Sequence, residues 1–167
     1  MFRVRESVRF PILLAAVVAP GLAGCPSDDV VGDIDASVSC LAATHHDDLP
    51  WIQDNVLTPS CSNFTSCHKG AASMAGDLSL ETGRSHAELV GVAGKQFPAW
   101  TLVVPGDPMH SYLMVALGQY PGPLDPRVGT MPFNSRLLCE QKRDAIERWI
   151  LAGAPATSPV DAGVDGP

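Results

Sequence analysis

Basic residues are scarce in this chain of 167: 11 Lys and Arg stand against 18 Asp and Glu, for a formal net charge of −7. That balance argues against nucleic acid or an anionic lipid surface as a partner and favours a basic one, and it says nothing about fold. Long hydrophobic runs are missing too. The main apolar stretch, residues 10–20 (FPILLAAVVAP), is too short to cross a bilayer as a permanent helix. There is no Gly-x-Ser-x-Gly elbow, no His-Glu-x-x-His signature and no phosphate-binding loop, so no nucleophile and base set announces an enzyme. Strand signals are weak beyond TLVV at 101–104, and no internal repeat of useful length is present.

What the N-terminus does contain is a processing signal. Arg3, Arg5 and Arg9 form a basic head to the apolar run, and Leu22-Ala23-Gly24-Cys25 resembles a bacterial lipobox. Residues 1–24 are therefore expected to be a lipoprotein signal peptide, with Cys25 carrying a thioether-linked diacylglycerol. An ordinary secretory signal with an incidental cysteine is the alternative. Each buried methylene contributes about 0.8 kcal/mol, so two or three acyl chains anchor stably. Pro26, rather than Asp, after the cysteine implies by resemblance to such lipoproteins an outer-membrane destination. The chain is expected in the cell envelope, facing the periplasm or cell surface, held to the membrane by its lipid alone. Losing three Arg and one Glu takes the formal charge from −7 to −9.

Outside the cytoplasm thiols are expected to be paired or covalently used. With Cys25 assigned to lipid, Cys40, Cys61, Cys67 and Cys139 remain. Cys67 directly precedes His68 and has Cys61 close by, whereas Cys40 and Cys139 have no such company. The expected disulfide is Cys40 to Cys139, tying the N-terminal segment to the last helix, with other pairings left open.

Residues 25–44, including the acidic PSDDVVGDIDAS at 26–37, read as an anchor linker, and 156–167 read as a disordered tail. Between them, residues 45–155 suffice for one small domain with a modest core. Residues 49–57 carry Trp51, Ile52, Val56 and Leu57 at near-helical spacing, with Pro50 suited to the first turn and Pro59 to termination. Residues 84–92 predict a short helix stopped by Gly91. Residues 106–118 predict another, with Asp107 as N-cap, Pro108 at its first position and Gly118 at its end. The strongest pattern is 139–153, where Ile146, Trp149 and Ile150 form an i, i+3, i+4 stripe and Gly153 suits the C-terminal cap. The fold class is mostly α, with short helices and long Gly/Pro-rich loops. So little regular structure calls for a staple or a cofactor.

The segment SCSNFTSCHKG at 60–70 bears on which. Cys67-His68 matches the second half of a haem-attachment motif, in which the imidazole follows a thioether-forming cysteine. Cys61 and Cys67 have five residues between them instead of the usual two. On a regular helix an i, i+6 pair is about 600° apart, about 120° from alignment, so residues 62–66 must bulge outward. In order, NVLTPSCSNFTSCHKG, GDLSLETG, ELVGV, LVVPGDPMHSYLMVAL, GTMPFN and RDAIERWILAGAP resemble the planctomycete-type cytochrome c domains of bacterial surface lipoproteins, over roughly residues 49–155. The resemblance implies a small cytochrome c-like domain with a single haem c. Cys61 and Cys67 would attach the haem, His68 would be its proximal iron ligand, and Met131, in Gly-Thr-Met-Pro, the distal one. It implies electron transfer rather than enzyme activity, with a redox protein as partner or an accessory role beside a redox enzyme. The same letters also fit attachment through one cysteine, or a haem-free, disulfide-stapled binding module with a Cys61–Cys67 bond.

Other residues have plainer readings. Met109 and Met114 are expected to pack on a helix, and Met74 to sit in a small-residue loop. His45 and His46, beside Asp47 and Asp48, read as solvated linker; His86 and His110 as surface residues; Trp51 and Trp149 as core. A zinc site using Cys61, Cys67 and His68 lacks the usual paired spacing, and Asn63 is a glycosylation sequon by spelling only.

Overall fold

The computed structural model describes residues 33–71 and 73–157, the side chains of 33–37 and 73 excepted. The leader, Cys25 and the tail from 158 onward lie outside the described residues. Among the described residues there are five α-helices: α1 (Asp33–Ala42), α2 (Leu49–Ile52), α3 (Ser85–Leu89), α4 (Tyr112–Ala116) and α5 (Glu140–Leu151). A nine-residue π-helix, Gln53–Cys61, continues α2 directly. Among the described residues, pairing of extended backbone is limited to isolated bridges, Val90 with Val103, Ala93 with Thr101 and Thr101 with Ser111. The TLVV segment therefore makes bridges and no strand. No helix among the described residues is long and apolar enough to cross a membrane.

The most regular element, α5, turns Lys142, Ala145, Ile146, Trp149 and Ile150 inward. It ends in a Schellman arrangement: Gly153, at φ 93°, donates to the Ile150 carbonyl and Ala154 to that of Trp149, both at 2.9 Å. Leu49, Ile52, Val56, Leu57, Leu89, Val103 and Met114 complete the core around Ile146, Trp149 and Ile150. The indole nitrogen of Trp149 donates to the Pro155 carbonyl at 2.9 Å, so this large side chain is buried with its polar atom satisfied.

Three sequence expectations need correction. The stretch read as linker up to residue 44 contains α1 and a following 3-10 turn, Ala43–His45. It is held to α5 by the Cys40–Cys139 disulfide (Cα–Cα 6.2 Å) and by Arg148, which donates to the carbonyls of Ala43 (2.7 Å) and His46 (2.9 Å). Pro59 does not end the helix that begins at Leu49. An α-helix would lose a hydrogen bond there and clash with the preceding turn, whereas the wider π register carries the chain past it to Cys61. Finally, Asp107 and Pro108 open a turn ahead of α4, and Ser111 is the N-cap residue. Asp107 still caps locally, accepting from the His110 backbone N–H (3.2 Å) and Nδ1 (2.7 Å).

The loop after α4 folds back tightly enough to need a glycine. A Cβ on Gly122 would stand 2.6 Å from Cγ1 of Val115, which is buried on α4. Being β-branched, Val115 has few rotamers to escape into. Gly122→Ala is expected to destabilise by about 1–3 kcal/mol in urea unfolding. The double variant Gly122→Ala/Val115→Ala should lose less than the sum of the two single losses, and strict additivity would refute the clash.

Candidate functional site

The π-helix delivers Ser60 and Cys61 to the centre of the molecule, and the chain then makes an excursion over residues 62–67. It returns so that the His68 N–H donates to the Cys61 carbonyl at 3.0 Å. Inside the excursion the Cys67 N–H donates to the Phe64 carbonyl at 3.0 Å, and Phe64 is exposed. The bulge required by the spacing is thus closed by one hydrogen bond at its base. On its other side His68 is held by the Leu80 N–H, which donates to its carbonyl at 2.8 Å. Leu80 in turn accepts from Nε2 of the buried Gln53 at 3.0 Å, and Gln53 Oε1 accepts from Ser85 Oγ at 2.5 Å. The π-helix, the His68 segment, residue 80 and α3 are fastened together behind this imidazole.

His68 lines a cavity of about 310 Å³, within the size range of small-molecule and cofactor sites. Leu78, Leu80, Leu89, Leu102, Leu113 and Leu117 make its walls largely apolar. Met131 lines the same cavity, its backbone N–H donating to the Ala116 carbonyl at 2.7 Å just ahead of a cis bond to Pro132. Cys61 and Ser60 complete the inner lining. Two polar atoms here are buried without a hydrogen-bond partner, Ser60 Oγ and His68 Nδ1. Burial lowers the His68 pKa, partly offset by the nearby Leu78 backbone. Its ring is therefore neutral at pH 7, the form that ligates metals.

Cys61 and Cys67 stand differently toward the cavity. Cys61 is a half-buried thiol bordering the cavity. Cys67 is buried at 3% exposure, is not among the lining residues, and has its sulfur in a disulfide. Cys61 and Cys67 are therefore not bonded to each other.

The rim holds residues that sequence reasoning passed over. Asp125 accepts from Gln96 Nε2 at 2.5 Å, and from the backbone N–H (2.8 Å), Nε (3.2 Å) and Nη2 (2.9 Å) of Arg127. The Arg127 bonds, aided by Gln96, bring its carboxyl down to about 2. Lys95 pairs with Asp77 at the same rim. The only local signal was the Asp-Pro-Arg turn at 125–127; its contact with Gln96 joins loops far apart in sequence.

None of the other histidines lines the cavity. His46 stacks on Trp51 (centroids 4.4 Å, 7° between planes) and bonds Asp48 at 3.1 Å, so it is no solvated linker residue. His86 shares a hydrogen bond with the Ala154 carbonyl at 2.9 Å, and His110 is exposed beside Asp107. Met114 is core, whereas Met109 precedes α4 in a turn and is 57% exposed, contrary to the packing role expected. Among the described residues no three His, Cys, Asp or Glu side chains converge on a metal-sized site, which leaves the zinc reading without a ligand set. Compared with protein-family models, curated proteins and solved structures, the chain finds no match in any of the three.

Proposed function

We propose that this chain is a lipid-anchored c-type cytochrome that passes single electrons through a His/Met-ligated haem in the cell envelope. The observation that carries the reading is that His68 and Met131 line one largely apolar cavity. The unpartnered Nδ1 of His68 and the Cys61 thiol on the same wall suit the group as well. Haem c would supply one-electron exchange at iron, and ligation by a thioether together with an imidazole would raise its potential. His68 would hold the iron through a neutral ring whose backbone is braced on both sides. Met131 would be the second residue to hold the iron, which would leave the iron no place for a substrate. The leucine walls exclude water, and Cys61 is the thiol best situated for a thioether. The anchor would be Cys25, in the outer membrane, and the acidic surface suits a basic redox partner.

The test is an absorbance spectrum of the reduced protein, purified from a host that matures c-type cytochromes, together with its intact mass. A sharp visible α-band and a mass increased by one haem are expected. Their joint absence rejects the reading.

One observation favours a second reading, a haem-free, disulfide-stapled envelope binding module: the Cys67 sulfur is in a disulfide and off the cavity wall. A sulfur in a disulfide cannot also be in a thioether. In that case the intact mass shows only the hydrogens lost to disulfides, and the cavity is left for an apolar ligand.

A further inference from the structure

We propose that Asp125, bonded to Gln96 and Arg127, is a positioning residue that holds the Met131 loop against the cavity and controls access from that side. The inference rests on the ligand role given to Met131 above, but the brace itself does not.

The segment between α4 and α5 is fastened at three places. Near its start, Gln119 donates to Asp144 (3.1 Å) and Glu147 (3.3 Å) of α5, and the Tyr120 hydroxyl donates to Glu147 at 2.6 Å. Near Met131, one backbone bond to Ala116 holds the chain. Between them, Asp125 accepts from Gln96 of the 94–100 loop, a side-chain tie across the cavity rim. That loop is itself closed, Gly94 donating to the Trp100 carbonyl at 2.7 Å and Trp100 to that of Phe97 at 2.9 Å. Phe97 and Trp100 both pack on Tyr112, at 5.3 and 6.4 Å between centroids. The anchor is rigid.

Asp125 also organises the turn leading to the methionine. Its carbonyl accepts from the N–H groups of Val128 (3.0 Å) and Gly129 (2.8 Å), and Gly129 takes φ 71° two residues before Met131. Asp125 is 8% exposed although it lies in a loop. A surface turn needs no such burial; a brace between two loops over a cavity does. Hydrogen bonds to a charged group are stronger than neutral ones, so cutting this one frees the segment locally without unfolding the core.

The test uses Gln96→Ala, which removes only the bond across the rim, and Asp125→Asn, which keeps the shape and loses the charge. Hydrogen exchange at the Met131 amide is read in protein as isolated, with or without haem. About a tenfold or greater acceleration in each variant is expected, with the α5 amides unchanged. In haem-loaded protein the same variants should bind added cyanide at least about tenfold faster, and should lose part of the charge-transfer band typical of thioether-ligated ferric haem. Gln96→Glu, which sets two carboxylates against each other, should exceed Gln96→Ala in both readouts. Unchanged Met131 exchange in folded Gln96→Ala and Asp125→Asn overturns the proposal. Faster exchange in a protein that carries no haem keeps the brace and rejects the cytochrome reading alone.

Discussion

On the proposed haem reading, replacing His68 by alanine is expected to reduce the low-spin α-band at least about tenfold, and millimolar imidazole should restore it. The magnitude follows from ligand chemistry: partners in the outer shell of a metal site are typically worth about 10–100-fold, and the ligand itself should be worth more. Rescue by imidazole separates a ligand from a structural residue, because only the former's work can be done by a diffusible ring. The cost to folding should be small, since Nδ1 of the ring has no hydrogen-bond partner and its segment is held through backbone groups. Far-UV circular dichroism of the variant should match that of the parent. Met131→Ala makes the contrast: haem should stay attached while the ligand-sensitive part of the spectrum moves. A His68→Ala spectrum identical to that of the parent would remove His68 from the iron.

The second large effect is on stability. The Cys40–Cys139 bond closes a loop with a sequence separation of 99. In the chain-entropy model a loop near this length stabilises by about 4.7 kcal/mol, against a total of about 5–15 kcal/mol for an ordinary domain. The double variant Cys40→Ser/Cys139→Ser is therefore expected to lose about 3–5 kcal/mol in urea unfolding. Its m-value should rise, because the uncrosslinked unfolded chain exposes more surface. A loss under about 1 kcal/mol would mean that Arg148 and its two carbonyl acceptors hold the N-terminal segment unaided.

The sequence was readable where local physics decides the outcome. The 139–153 stripe and its glycine translate into α5 and its Schellman end because burial periodicity and a left-handed cap are properties of one short segment. It was unreadable where a distant contact overrides a local rule. Pro59 is a stop signal in isolation, but the hub at Gln53 and the widened register carry the helix through it. Residues 25–44 read as a linker, yet Cys40 within them is bonded to Cys139 at the start of α5. In the candidate site, His68 and Met131 were singled out by motif and resemblance, and both border one cavity. Asp125 and Gln96 gave no such notice, since a carboxylate and an amide in separate loops acquire meaning only once the loops are folded together. Cys67 does not line that cavity, for a related reason: adjacency to His68 along the chain does not decide which way a side chain turns.

The hydrogen bond from residue 68 back to residue 61 has an implication for how such chains can diverge. It pinches residues 62–67 into a side loop, so the path from the π-helix to the imidazole does not depend on how many residues the detour contains. Lengthening a closed loop costs little, about 0.6 kcal/mol per doubling. Residues inserted beside Phe64 should therefore leave the imidazole where it is, and the number of residues between the two cysteines is free to drift while the geometry of the histidine is inherited unchanged.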